Sequence, residues 1–180
     1  MCFIGGVRRA IRPDGALPSN ALAREVMSTL KEIRDYLRLD DRLATSGMPQ
    51  REQFQAIKEA GFDVVINLAL PTSDYALADE GDIVTRLDMA YVHLPVNFEA
   101  PHADEYDRFT RVLEAFAGAR VWVHCVANMR VSAFVFLHRL RVGVAHRVEA
   151  ERDLRRIWEP DGEWRKFINQ RLAEQGLSPL

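Results

Sequence analysis

Residues 124–130 read His-Cys-Val-Ala-Asn-Met-Arg, a cysteine and an arginine with four residues between them. They follow the apolar run Val121-Trp122-Val123 and precede a largely apolar stretch, Val131 to Arg141. A strand delivers Cys125, a short loop follows, and Arg130 opens a helix. Such a loop turns the backbone N–H groups of Val126, Ala127, Asn128, Met129 and Arg130 inward. The helix N-terminus adds partial positive charge and the guanidinium adds a fork of donors, so the loop is a cradle for an oxyanion. Helix N-termini and nearby cations bring a thiol from about 8.5 down to roughly 3.5–7.5, which favours the nucleophilic thiolate. A thiolate held against an electrophile bound by the same loop can form a covalent intermediate. If the electrophile is a phosphoryl group, positioning and charge stabilisation supply most of the catalysis. Arginine, unlike lysine, can hold two phosphoryl oxygens at once.

The elements that must position this loop alternate along the chain. Residues 1–18 show no sustained periodicity and read as a flexible arm, leaving 19–180 as one domain. Leu22, Val26, Leu30, Ile33 and Leu37 recur at helical spacing and predict a helix over 20–38. A short strand over 43–46 ends at Gly47. Pro49 and Gly61 bracket the next helix, and 63–70 reads as a buried strand. The turn 71–74 leads to a helix over 75–87, interrupted by Gly81. A strand over 91–96, a loop over 97–103 and a helix marked by Tyr106, Phe109, Val112, Leu113 and Phe116 follow. The strand 120–124, the helix 131–141 capped by Gly143, and two helices over about 146–158 and 163–174 complete the chain. This alternation predicts an α/β domain with a central, mainly parallel sheet flanked by helices. Ligands in such sheets sit beyond the C-terminal strand ends, where Cys125 lies.

Composition agrees with a folded domain: 48% hydrophobic and 28% charged residues over 180 positions. A formal net charge of -2 gives no reason to expect nucleic acid as a partner. No apolar stretch approaches the ~20 residues of a membrane span, and the N-terminal residues do not have the order of a secretory signal. With two cysteines, Cys2 and Cys125, a disulfide is not expected, and a reducing, cytoplasmic setting is. His93 reads as a structural strand residue, and His138 and His146 are too scattered for a metal site. Neither metal nor cofactor is expected.

His124-Cys125, a short loop, Arg130 and a helix resemble the cysteine-dependent protein tyrosine phosphatases, above all their compact dual-specificity-like bacterial branch. Thr45-Ser46-Gly47 with Pro49, Gly61 to Leu68, Tyr91 to Val96 and Pro101 fall in the same order, so the resemblance covers about residues 28–158. It implies hydrolysis of phosphate monoesters on proteins or small molecules. Cys125 would carry a phosphocysteine, Arg130 would clamp the phosphate, and the N–H groups of Val126 to Arg130 would complete the cradle. Ser132 would help the cysteine leave in the second step, and His124 would orient the loop and tune the thiol. The family's usual loop has five residues between Cys and Arg and a glycine among them. Here there are four and no glycine, and Asn128 is the residue best suited to a left-handed turn. Val131 also separates Arg130 from the hydroxyl of Ser132.

The family's general acid is an Asp in the loop after the strand matched by Tyr91–Val96. Asn97 cannot serve, and Glu99 is the first candidate, with His102 and Asp104 next. Asp104 reads more simply as a helix cap. Two other readings stand beside the phosphatase: a rhodanese-like sulfurtransferase, whose cysteine also ends a strand, and a catalytically silent module that binds phosphate or a phosphoprotein.

Overall fold

A computed structural model describes residues 20–180, so the expected arm over 1–18 and Cys2 lie outside the described residues. Five strands form one sheet: β1 (Leu37–Arg38), β2 (Leu43–Ser46), β3 (Val64–Asn67), β4 (Ala90–His93) and β5 (Val121–His124), in the order β1-β2-β5-β3-β4. β5 pairs parallel with β2 and β3, and β3 with β4; only β1 runs antiparallel. The α/β fold with a mainly parallel sheet is therefore as the alternation predicts. β3 and β5 are buried throughout because helices cover both faces.

One face carries α1 (Asn20–Glu32), α2 (Gln53–Glu59) and α3 (Glu80–Arg86), packed over Val65 and Trp122. The other carries α4 (Ala103–Ala115), α5 (Met129–Arg141), α6 (Arg147–Arg155) and α7 (Gly162–Glu174), packed over Val121, Val123 and Cys125. Side chains alternate across a strand. Cys125 thus joins the α5 side, while the His124 ring packs against Phe54 on the α2 side, with centroids 6.2 Å apart.

Several boundaries differ from the sequence expectation, each for a local or tertiary reason. α1 stops at Glu32 instead of 38. Asp35 takes a left-handed turn (φ 50°), Tyr36 stacks on Trp122 at 5.2 Å, and Leu37 is buried as a strand residue. Leu37 fits a helical stripe equally well, so spacing alone could not exclude it. β3 ends at Asn67, not 70, because the Asn67 side chain accepts the Ala69 N–H (2.7 Å) and turns the chain out of the sheet. α3 begins at Glu80, not 75, after a series of turns in which Tyr75 has φ 64°. Gly81 does not interrupt that helix; a Cβ there would lie 3.1 Å from the Tyr91 ring. β4 closes at His93, before Pro95. Asp104 is not the cap of α4: His102 holds that position, and Glu105 accepts its N–H at 2.9 Å.

Candidate active site

The loop from Cys125 to Arg130 is held by the chain that follows β2. The Cys125 N–H donates to the Ser46 carbonyl (3.3 Å) and the Met48 N–H to the Val126 carbonyl (3.1 Å). Gly47 faces Ala127 in an isolated antiparallel bridge. A Cβ at Gly47 would stand 2.8 Å from the Val126 oxygen, so only glycine permits this approach. At the far end Asn128 adopts φ 57°, the left-handed turn for which the sequence singled it out. Its amide donates to the Asp35 carbonyl (2.7 Å) and to Thr45 Oγ1 (3.0 Å), so the turn that ended α1 becomes a brace for the loop. The Ser132 N–H returns to the Asn128 carbonyl (2.8 Å) and starts α5.

Arg130 lies in the first turn of that helix and is 8% exposed. Its Nη1 donates to the Leu68 carbonyl at a long 3.4 Å, and its Nε is buried without a partner among the described residues. The guanidinium lies 5.6 Å from the Phe98 ring centroid. Among the described residues no carboxylate pairs with it. A buried cation without a counter-charge is costly, and at the positive end of a helix the cost rises. A bound anion would offset both. Cys125, with a free thiol, is 2% exposed on the same loop.

The loop that carries Glu99 reaches this site through Phe98. The Phe98 carbonyl accepts the Trp164 indole N–H (2.7 Å), and its ring packs on Trp158 and Trp164 at 6.0 and 5.8 Å. Glu99 is exposed, and its N–H donates to Asn97 Oδ1 (3.1 Å). His102 and Asp104 are exposed further along, at the start of α4. The Ser132 hydroxyl donates to the Met129 carbonyl (3.0 Å) and accepts the Trp158 N–H (3.1 Å).

No family model matches this sequence, and no curated protein sequence does. Solved structures do match. A candidate phosphatase (DUF442) from Shewanella putrefaciens CN-32 is 32% identical with a TM-score of 0.74, covering 82% of this chain and 97% of its own. The chain belongs to the DUF442 family of phosphatase-like proteins. Tk-PTP, in its active form, is 22% identical with a TM-score of 0.65 over 78% of this chain and 97% of its own. A Cys-to-Ser variant of TpbA from P. aeruginosa, solved with phosphotyrosine, is 17% identical with a TM-score of 0.56 over 67% of this chain and 72% of its own. These two share the fold.

Within this phosphatase-like frame, sequence reasoning missed the surroundings of His124. Its Nε2 lies 2.7 Å from Glu80 Oε1, and the two side chains are 0% and 2% exposed. The second carboxylate oxygen accepts the Asn67 amide (3.0 Å), which also reaches the Tyr91 hydroxyl (3.2 Å). Burial first, then the Glu80 charge, push the Tyr91 phenol up to about 12. An acid in the first turn of a helix normally reads as a partner of the helix dipole, so nothing local marked Glu80. Phe98 gave no signal either, since a single aromatic in a loop has no periodicity. Among the described residues no group of three or more His, Cys, Asp or Glu could hold a metal ion, and no helix is long and apolar enough to cross a membrane.

Proposed function

We propose that the protein hydrolyses phosphate monoesters through a phosphocysteine at Cys125. The supporting observation is the buried Arg130 guanidinium, which has no anionic partner among the described residues and lies at the end of the loop that begins with a buried thiol. In this reading the N–H groups of Val126 to Arg130 and the Arg130 fork bind the three non-bridging oxygens. The Cys125 sulfur attacks phosphorus, and the ester P–O bond breaks as the S–P bond forms. Glu99 gives its proton to the departing oxygen, with His102 or Asp104 as the other groups on that segment. Water, deprotonated by the same carboxylate, then attacks phosphorus; the S–P bond breaks and phosphate leaves. Ser132 can donate to the departing sulfur if its hydroxyl turns from the Met129 carbonyl. His124 steadies the loop without exchanging protons. No metal or cofactor takes part.

The TpbA neighbour holds phosphotyrosine, which makes a phosphotyrosine protein the first substrate class to test, with dual-specificity and small phosphate esters next. A reducing compartment such as the cytoplasm suits a thiol that must stay unoxidised.

The test compares wild type with Cys125→Ser on p-nitrophenyl phosphate, then analyses acid-quenched protein by mass spectrometry. Turnover that disappears in the variant, with a phosphate carried on Cys125 in the wild type, supports the reading. Equal turnover in both removes Cys125 as nucleophile. Tight vanadate binding with no turnover makes the protein a phosphate-binding module instead.

A further inference from the structure

We infer that Glu80 is a positioning residue for the Cys125 loop, acting through His124. This rests on the phosphatase reading, and it adds a residue on the opposite face of the sheet from the thiol. The geometry is a closed circuit of hydrogen bonds around the point where the chain leaves the sheet. The His124 carbonyl accepts the Leu68 N–H (2.8 Å), and the Leu68 carbonyl accepts Arg130 Nη1 (3.4 Å). The Asn67 side chain accepts the Ala69 N–H (2.7 Å) and donates to Glu80 Oε2 (3.0 Å). Glu80 Oε1 closes the circuit on His124 Nε2 at 2.7 Å. One carboxylate therefore fixes both shoulders of the cradle: the residue before the nucleophile, and the segment that holds the arginine.

A buried carboxylate is a poor choice for stability alone, because an apolar side chain of similar volume packs there at lower cost. What the carboxylate adds is direction. The short bond between Glu80 Oε1 and His124 Nε2 holds the imidazole ring in one orientation. The ring in turn fixes the backbone at 124–125, on which the aim of the sulfur depends. A misplacement of about 1 Å can cost on the order of a hundredfold in rate.

The structure also supplies a direct test. Glu80 lines a cavity of about 430 Å³ together with Asn67, Tyr91 and His93. Truncating Glu80 therefore opens a hole that a small carboxylate can reach from solvent. Two readouts are followed: turnover of p-nitrophenyl phosphate, and iodoacetate alkylation at Cys125 measured by mass spectrometry. Glu80→Ala should lower kcat about tenfold, as expected for a partial loss of aim at the sulfur, with KM changed less than about twofold. Alkylation should slow in parallel. Formate should restore part of both in Glu80→Ala, and restore neither in the Glu80→Ala/His124→Asn double variant. The double variant should be no slower than His124→Asn alone.

Kinetics unchanged in Glu80→Ala, or a folded Glu80→Ala that formate does not restore, overturns the inference. If Glu80→Ala does not fold, Glu80→Gln preserves the volume, and its effect must then vanish in the His124→Asn background. Wild type that turns over no phosphate ester defeats the phosphatase reading by itself. The alkylation readout then decides the role of Glu80 independently.

Discussion

The Arg130 guanidinium lies 5.6 Å from the Phe98 ring centroid, and this contact joins the loop that carries Glu99 to the loop that carries Cys125. Phe98 is pinned from behind by Trp158 and Trp164, and its carbonyl by the Trp164 N–H. The last helices thus set the aim of the arginine. Phe98→Ala removes the platform and leaves Trp164 with a smaller neighbour. It should cost about 2–3 kcal/mol of stability, below the ~3–5 kcal/mol of a fully buried aromatic because Phe98 is only half-buried. kcat/KM for an aryl phosphate should fall in parallel. Phe98→Leu should recover most of the stability but less of the activity, because a leucine offers no ring face to the cation. Denaturant titration alongside steady-state kinetics separates the two effects.

Among the described residues the buried Arg130 guanidinium has no counter-charge, so the proposed anion site should cost stability when empty. Arg130→Met should raise the stability of the phosphate-free protein by about 1–2 kcal/mol, because it removes a buried cation without a counter-ion. Turnover should be lost in the same variant. Millimolar phosphate or vanadate should raise Tm in the wild type and leave Arg130→Met unmoved. A methionine variant that melts lower than wild type without ligand would mean that Arg130 is satisfied by contacts within the chain.

Glu99, His102 and Asp104 can be ranked by leaving group. Proton donation matters most when the departing oxygen is strongly basic. Replacing the true acid by its amide should therefore slow an alkyl phosphate about a hundredfold and p-nitrophenyl phosphate far less. Glu99→Gln is expected to show this pattern, and His102→Asn and Asp104→Asn are expected not to. The same pattern in Asp104→Asn alone would move the acid to α4.

Asn128 combines two roles that substitutions can separate. Asn128→Gly keeps the left-handed turn and loses the bonds to Asp35 and Thr45, at about 1–2 kcal/mol. Asn128→Ala loses the same bonds and adds about 1–2 kcal/mol of backbone strain. Alanine should therefore melt lower than glycine, a reversal of their usual order in or near helices. Thermal melts of the two variants decide it.

The sheet, its mainly parallel sense and the strand–loop–helix unit at Cys125 were legible because their signals are local. Apolar runs mark the strands, Pro49 and Gly61 bracket α2, and Cys125 ends a run of buried strand residues. What escaped depends on partners far away in the chain. Leu37 belongs to a strand because Tyr36 stacks on Trp122, a contact that periodicity does not contain. Glu80 reaches the base of the Cys125 loop only because it meets His124, 44 positions later. Ser132 was legible as a hydroxyl near the loop, but its bonds to Met129 and Trp158 depend on how α5 meets the segment after α6. The αL turn at Asn128 lay between these cases: the residue type suggested the conformation, and the structure supplied the bracing from Asp35.

His138, on α5, carries a pH dependence unrelated to catalysis. Burial, and then the nearby Arg141 charge, hold its imidazole below the ordinary value, and its Nδ1 is buried without a partner among the described residues. The unfolded chain therefore takes up the proton first as pH falls. Protons bound preferentially by the unfolded state mean that stability rises with pH. The contribution is intact above the ordinary imidazole value of about 6.5 and is lost progressively below it. Between about pH 7 and pH 5 the wild type should lose unfolding free energy more steeply than His138→Gln, which cannot titrate there. Denaturant melts of both proteins at matched ionic strength measure the difference in slope. Parallel slopes would show that His138 is protonated as readily in the fold as outside it, through a contact with Glu114 that outweighs its burial.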